Sequence, residues 1–320
     1  MNKKGFISIT VIYSFFLVFL TLMMLIIINM VSNRNLLNGM KKTIKDDISS
    51  NENQSISNYI ISLYTGVQGT NNIYYHDGTL TNGAGDNSYR YSGASDSVNN
   101  FVCFGSNEDT CPTENLYRII GVIDGKVKLI KSTSFGDMAW DSNEANTWST
   151  SSLNTYLNRT YLNTFSEDWQ SKIAITTWKV GAISSSSITA ATMYTNEMNS
   201  TKSGTDGLTE YSSKVALMYA HDYGFAASPT AWTTTLSNYA GNDSAGTSIT
   251  TNDWLYLGSL EWLVSRYSGF SCLSYFVDSS GIVVNNNVTF SRAVRSVFFL
   301  ESTVTYLSGT GTSSDPIRIN

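Results

Sequence analysis

The sequence predicts an α+β protein in which a long N-terminal transmembrane and amphipathic helix leads into a β-rich globular head with a few short helices. Three observations predict it. Ile7 to Asn33 contains no Asp, Glu, Lys, Arg, His or Pro. Leu116 to Ser132 reads as two strands about an Asp124-Gly125 turn. Beyond it, short apolar runs alternate with a few segments of helical spacing, the mixture expected of an α+β domain.

The first element is the N-terminal helix. A hydrocarbon core of roughly 30 Å takes about 20 residues at the helical rise, so the uncharged run is long enough to cross a bilayer. It is longer than the apolar core of a secretory signal, and Asn29-Met30-Val31-Ser32-Asn33-Arg34 offers no small-x-small cleavage site. Leu36, Leu37, Met40, Ile44 and Ile48 continue the helical spacing, with Lys41, Lys42 and Lys45 on the other side. Ile56, Tyr59, Ile60 and Leu63 resume it, and Gly66 is a natural stop.

Lys3-Lys4-Gly5-Phe6, directly before the run, resembles a type IV prepilin leader. The resemblance implies cleavage between Gly5 and Phe6 by a prepilin peptidase, and packing beside other pilin-like subunits. Thr10 stands where that family carries the Glu that guides assembly. A plain signal anchor is the alternative. The chain then divides into a leader (1–5), a stem (6–66), a loop-rich linker with short strands (67–100) and the head (101–320).

Charge bears on orientation and partners. Residues 1–48 carry six Lys/Arg against two Asp/Glu, and the rest carry fourteen against twenty-three. An acidic head excludes a nucleic-acid partner, which needs a basic stripe. The cations after the run favour a head inside the cell. The leader and the Asn-, Ser-, Thr-, Gly- and Tyr-rich head favour the opposite. The expectation is a single-pass cell-membrane protein with an extracellular head.

In the head, Tyr117 to Ile123 is apolar on both faces, and Lys126 to Lys131 returns with its lysines facing water. Leu153, Tyr156, Leu157 and Tyr161 mark a helix face after the N-cap candidates Ser149 to Ser152. Tyr275-Phe276-Val277 and Ile282-Val283-Val284 flank a turn at Asp278 to Gly281. Cys103 and Cys111 bracket seven turn-rich residues and are candidates for a disulfide, with Cys272 left over; three buried thiols are the alternative.

Tyr117 to Ile130, Trp148 to Asn158, Trp262-Leu263, Ala293-Val294-Arg295 and Gly309 to Pro316 resemble an uncharacterised domain-of-unknown-function family of bacterial surfaces, over about residues 101–320. Ser296 and Arg266 stand where that pattern has Pro. The order of segments is loosely similar to C-type-lectin-like folds.

Catalytic signatures are absent: there is no HExxH, GxSxG, P-loop or dinucleotide fingerprint. The histidines, His76 and His221, show no metal-ligand spacing, so neither a metal nor a cofactor is expected. His221-Asp222 is the one candidate acid–base pair, against the plainer reading of a histidine at a strand end. No residue is assigned as catalytic. Trp140, Trp148, Trp232 and Trp254 sit in or beside polar loops and are candidate platforms for a glycan or protein ligand, against an ordinary core role. The expectation is a pilin-like or pseudopilin-like, non-enzymatic surface protein for adhesion or ligand binding. A signal-anchored extracellular hydrolase or sensor is the alternative.

Overall fold

The computed structural model describes residues 16–24, 30 and 54–320. The chain divides into two units, Met1–Asn53 and Gln54–Asn320. In the first, residues 16–24 are helical and carry exposed apolar side chains such as Phe16, Leu17 and Met24.

Among the described residues no helix is long and apolar enough to cross a membrane. Of the run from Ile7 to Asn33 only residues 16–24 and 30 are described, and the rest of it, like most of the predicted stem before residue 54, lies outside the described residues. The predicted stem over 6–66 is corrected at its far end as well. There α1 (Ile56–Ser62) begins afresh, with the Ser55 side chain accepting from the Asn58 amide. Its apolar face is spent within the second unit: Ile56 and Ile60 are buried, and the Ile56 amide donates to the Val304 carbonyl at 3.0 Å. The spacing of Ile56, Tyr59, Ile60 and Leu63 was that of a short domain helix. The expectations that rested on a spanning helix, namely the single-pass membrane localisation, the extracellular head, the pilin-like surface function, and the membrane, prepilin peptidase and pilin-like subunits as partners, have no such helix behind them among the described residues. The leader (1–5), with Gly5 and Phe6, lies outside the described residues.

The second unit is a mixed α+β domain with several sheets. Its largest sheet uses β1 (Ile73–His76), β2 (Ser88–Tyr91), β3 (Phe101–Cys103), β4 (Leu116–Ile123) and β5 (Lys126–Lys131) from the first half. β4 is its spine. β5 pairs along one side, while β3 and β2 share the other, opposite Leu116–Arg118 and Gly121–Val122 respectively. Gly121 permits that approach, since a Cβ there would meet the Tyr89 carbonyl oxygen at 2.3 Å. The β4–β5 turn is tight because Asp124 and Gly125 both take positive φ, 50° and 73°. β1 and β2, in the stretch read as a linker, are integral strands of this sheet.

The middle of the chain supplies β6 (Asp137–Ala139), β7 (Thr176–Lys179), β8 (Ala182–Ile183), β9 (Glu210–Ser213) and β10 (Val215–Ala216). Its helices are α2 (Ser152–Thr155), which continues as a π-helix over Tyr156–Tyr161, then α3 (Glu167–Ser171), α4 (Ala190–Met198) and α5 (Ala220–Ala226). The C-terminal third adds β11 (Glu261–Tyr267), β12 (Leu273–Val277), β13 (Val283–Asn287), β14 (Ser291–Ala293), β15 (Val297–Phe299), β16 (Tyr306–Ser308) and β17 (Arg318–Ile319). The first sheet runs β1-β2-β4-β5-β15-β10, with β3 on β4. A second runs β13-β12-β11-β14-β6, with β8 on β11. Two-stranded ribbons, β7–β9 and β16–β17, complete the pairing. Among the described residues one continuous apolar core joins the sheets, with Trp140, Trp148, Trp178, Trp232 and Trp262 among its largest side chains.

One strand face differs from the expectation. Lys128 and Lys131 of β5 do not face water; Lys128 is 1% exposed. The Lys128 side of β5 is covered by α5 and by the Tyr219 and Phe299 rings, and a buried ammonium there needs a counter-charge.

Candidate functional site

That counter-charge organises a buried polar cluster. Asp222 sits in the first turn of α5, where its Oδ2 accepts from the Tyr219 amide at 2.9 Å and from Lys128 Nζ at 2.5 Å. Arg90 Nη1 of β2 reaches Oδ1 at 3.4 Å. The guanidinium is held from the other side by Asp86 at 2.8 Å and by the Ser88 hydroxyl at 2.8 Å. All of Lys128, Arg90 and Asp222 are at most 2% exposed. Burial raises the Asp222 pKa, but Lys128, His221 and Arg90 outweigh it and lower the carboxyl to about 2.

A second layer lies against the first. Glu197 of α4 accepts from the Ala220 and His221 amides at 3.1 and 3.2 Å, capping α5, and also bonds the Ser265 hydroxyl of β11. His221 Nδ1 is 2.5 Å from Glu197 Oε2, and its Nε2 is 3.5 Å from Asp222 Oδ1. The Tyr219 ring stacks on the imidazole at 4.9 Å. The order of contacts is therefore Ser265–Glu197–His221–Asp222. In a hydrolytic triad the hydroxyl must touch the imidazole, and here a carboxylate stands between them. His76 lies beyond, lowered to about 3 by burial and then by Arg90, and so neutral.

A third buried group is a bidentate pair: Arg295 Nε and Nη2 bond the Glu261 carboxylate at 2.7 and 2.8 Å. Asp253 lies in the same region, and burial raises its pKa to about 8. Its Oδ1 accepts from the Leu255 amide, while Oδ2 has no partner among the described residues.

Open surface lies elsewhere. The Cys103 and Cys111 sulfurs are joined in a disulfide, with Cα atoms 5.8 Å apart, and Cys272 is free. The closed loop and the β16–β17 hairpin enclose a cleft of about 750 Å³, lined by Asn107, Glu108, Asp109, Asp315 and Arg318 among others. A smaller hollow of about 240 Å³ lies between the segments 202–205 and 266–271. Among the described residues no group of three His, Cys, Asp or Glu is placed to hold a metal ion.

The candidate aromatics take neither position. Trp140, Trp148, Trp232 and Trp254 are 0–3% exposed, so none offers a ring face to solvent. Three spend their indole N–H on carbonyls: Trp140 on Leu263, Trp232 on Ala227 and Trp254 on Tyr91. Polar loops surround them in sequence, yet in space those loops wrap a core.

Residues 124–302 match a family described as a domain of unknown function, DUF6273. The chain belongs to this family. The DUF6273 segment opens at the β4–β5 turn and ends just past β15, so it supplies Lys128, Glu197, His221, Asp222 and Ser265 but neither Arg90 nor Asp86. The disulfide loop and β16–β17 also lie outside it. No curated protein and no solved structure matches the chain.

Sequence reasoning singled out His221 and Asp222 and assigned no site role to Lys128, Arg90, Glu197 or Arg266. Arg266 had a signal: an arginine closing the run Trp262-Leu263-Val264-Ser265 is a cation in a buried strand.

Proposed function

We propose that this DUF6273 chain is a binding domain and not a catalyst, and that the cleft beside the Cys103–Cys111 loop receives its ligand. The observation that carries this is the wiring of the Ser265–Glu197–His221–Asp222 cluster. Ser265 bonds Glu197 instead of the imidazole, and His221 is 2% exposed with both ring nitrogens facing carboxylates. A general base must reach the proton it takes. The cleft has the opposite character: it is open, concave and within the size range of small-molecule sites. One wall is closed covalently by the disulfide, and Arg318 pins the other to it through the Asp109 carbonyl at 2.7 Å. Such bracing reduces the ordering cost of binding.

The test is an amide NMR screen with a panel of sugars, amino acids and small amines, run beside turnover assays on ester, amide and phosphoester substrates. Shifts confined to Asn107, Thr110, Ser313 and Arg318, without turnover, are expected. Turnover that disappears in His221→Gln while the fold persists would contradict the reading.

A further inference from the structure

The smaller hollow has a charge pattern that the cleft lacks. Arg266, on β11, is 2% exposed and forms part of its wall. Its bonds go only to backbone carbonyls: Nε to Val180 at 2.5 Å, Nη1 to Asn146 at 3.1 Å and Nη2 to Lys202 at 3.1 Å. A guanidinium has five N–H donors, so these contacts leave two, one on each Nη. Lys202 is a second cation on the wall, its Nζ 3.3 Å from the Ser268 hydroxyl. Ser203, Thr205 and Ser271 add further hydroxyls, and no Asp or Glu stands on the wall.

Among the described residues Asp206 is the carboxylate whose charge acts on Arg266, raising the arginine's pKa, and its oxygens accept hydrogen bonds from other groups. Its Oδ1 accepts from the Leu208 amide and its Oδ2 from the Ser149 hydroxyl. Burial lowers the Arg266 pKa to about 10, which leaves it a cation at neutral pH, with no carboxylate oxygen in salt-bridge contact among the described residues.

The wall is held in place from behind. Asn146 Nδ2 lies 2.9, 3.1 and 2.7 Å from the carbonyls of Tyr267, Phe270 and Leu273, fixing the turn after β11. The Asn146 amide bonds the Ser271 carbonyl at 2.6 Å. Gly204 lets the opposite segment close in, because a Cβ there would meet Arg266 Nη1 and Asp206 Oδ1, each at 2.9 Å, and Thr147 Oγ1 at 3.0 Å.

We propose that this hollow is a binding site for a small oxyanion, a phosphate, sulfate or carboxylate group held between Arg266 and Lys202. Planar guanidinium and ammonium together suit such a group, and the hydroxyls supply neutral donors around it. The volume of about 240 Å³ fits a small charged group better than a drug-sized molecule. The site is separate from the cleft by the disulfide and does not depend on it.

The experiment is titration of the full chain with inorganic phosphate, sulfate and acetate in low-chloride buffer, followed by amide shifts and by calorimetry. Saturable shifts at Lys202, Gly204 and Ser268 are expected, and the ranking of the three anions reports the preferred geometry. Lys202→Ala removes an exposed side chain and leaves the β11 packing alone, and should weaken binding on the order of tenfold. Arg266→Gln should abolish it; if that variant does not fold, Lys202→Ala and Lys202→Glu still decide the matter. No saturable shift at these residues up to tens of millimolar anion, or binding unchanged in both Lys202 variants, would overturn the proposal.

Discussion

Asp222→Ala should cost about 3–5 kcal/mol of stability, the usual penalty for removing one partner of a buried ion pair. The loss exceeds that of a surface salt bridge because Lys128 and Arg90 remain in place, at most 2% exposed. Lys128 loses its 2.5 Å carboxylate partner, and the Tyr219 amide loses its acceptor at the start of α5. Asp222→Asn keeps an acceptor for that amide but not the charge, so it should recover part of the loss. The same carboxylate sets an acid limit. Its folded pKa is depressed to about 2, so its contribution is complete above the unfolded value of about 4 and is lost as pH falls through about 2. Urea denaturation across that window should show stability falling in the parent protein, with a shallower fall in Asp222→Ala. Equal slopes would show that Asp222 is not the titrating group.

Trp140→Ala should cost about 3–5 kcal/mol as well, the range for deleting a large buried aromatic. The ring is fully buried, its Nε1 donates to the Leu263 carbonyl at 2.9 Å, and it packs on Trp148 with ring centroids 5.2 Å apart. A surface platform would behave differently: its removal would weaken a ligand and leave the denaturation midpoint nearly unchanged. A loss under about 1 kcal/mol would place Trp140 on the surface side of that distinction.

Local chemistry was legible in the sequence. The β4–β5 turn follows from Asp124-Gly125, and the β12–β13 hairpin from Asp278 to Gly281. The spacing of Ile56 and Ile60 marked a helix, read as the end of the stem, and gave no sign that the second unit buries its apolar face. The charge network was not legible, because its decisive contact joins residues 94 positions apart. Lys128 on an alternating strand looks the same whether that face meets water or Asp222. The tryptophans were ambiguous for the same reason, since neighbours in sequence do not report the loops that fold over them. Arg266 entered the sequence reading only as a departure from a pattern, whereas its bonds to Val180, Asn146 and Lys202 come from three separate segments.

Glu197, His221 and Ser265 are closed to solvent, at most 3% exposed. The chain has two histidines, His76 and His221, 0% and 2% exposed. The most direct measurement is site-resolved modification of the folded protein by diethyl pyrocarbonate near neutral pH, read by mass spectrometry. Neither histidine should react in the folded state, and both should react at ordinary rates once the chain is unfolded in urea. Rapid modification of His221 in the folded protein would mean an accessible imidazole and would contradict the account.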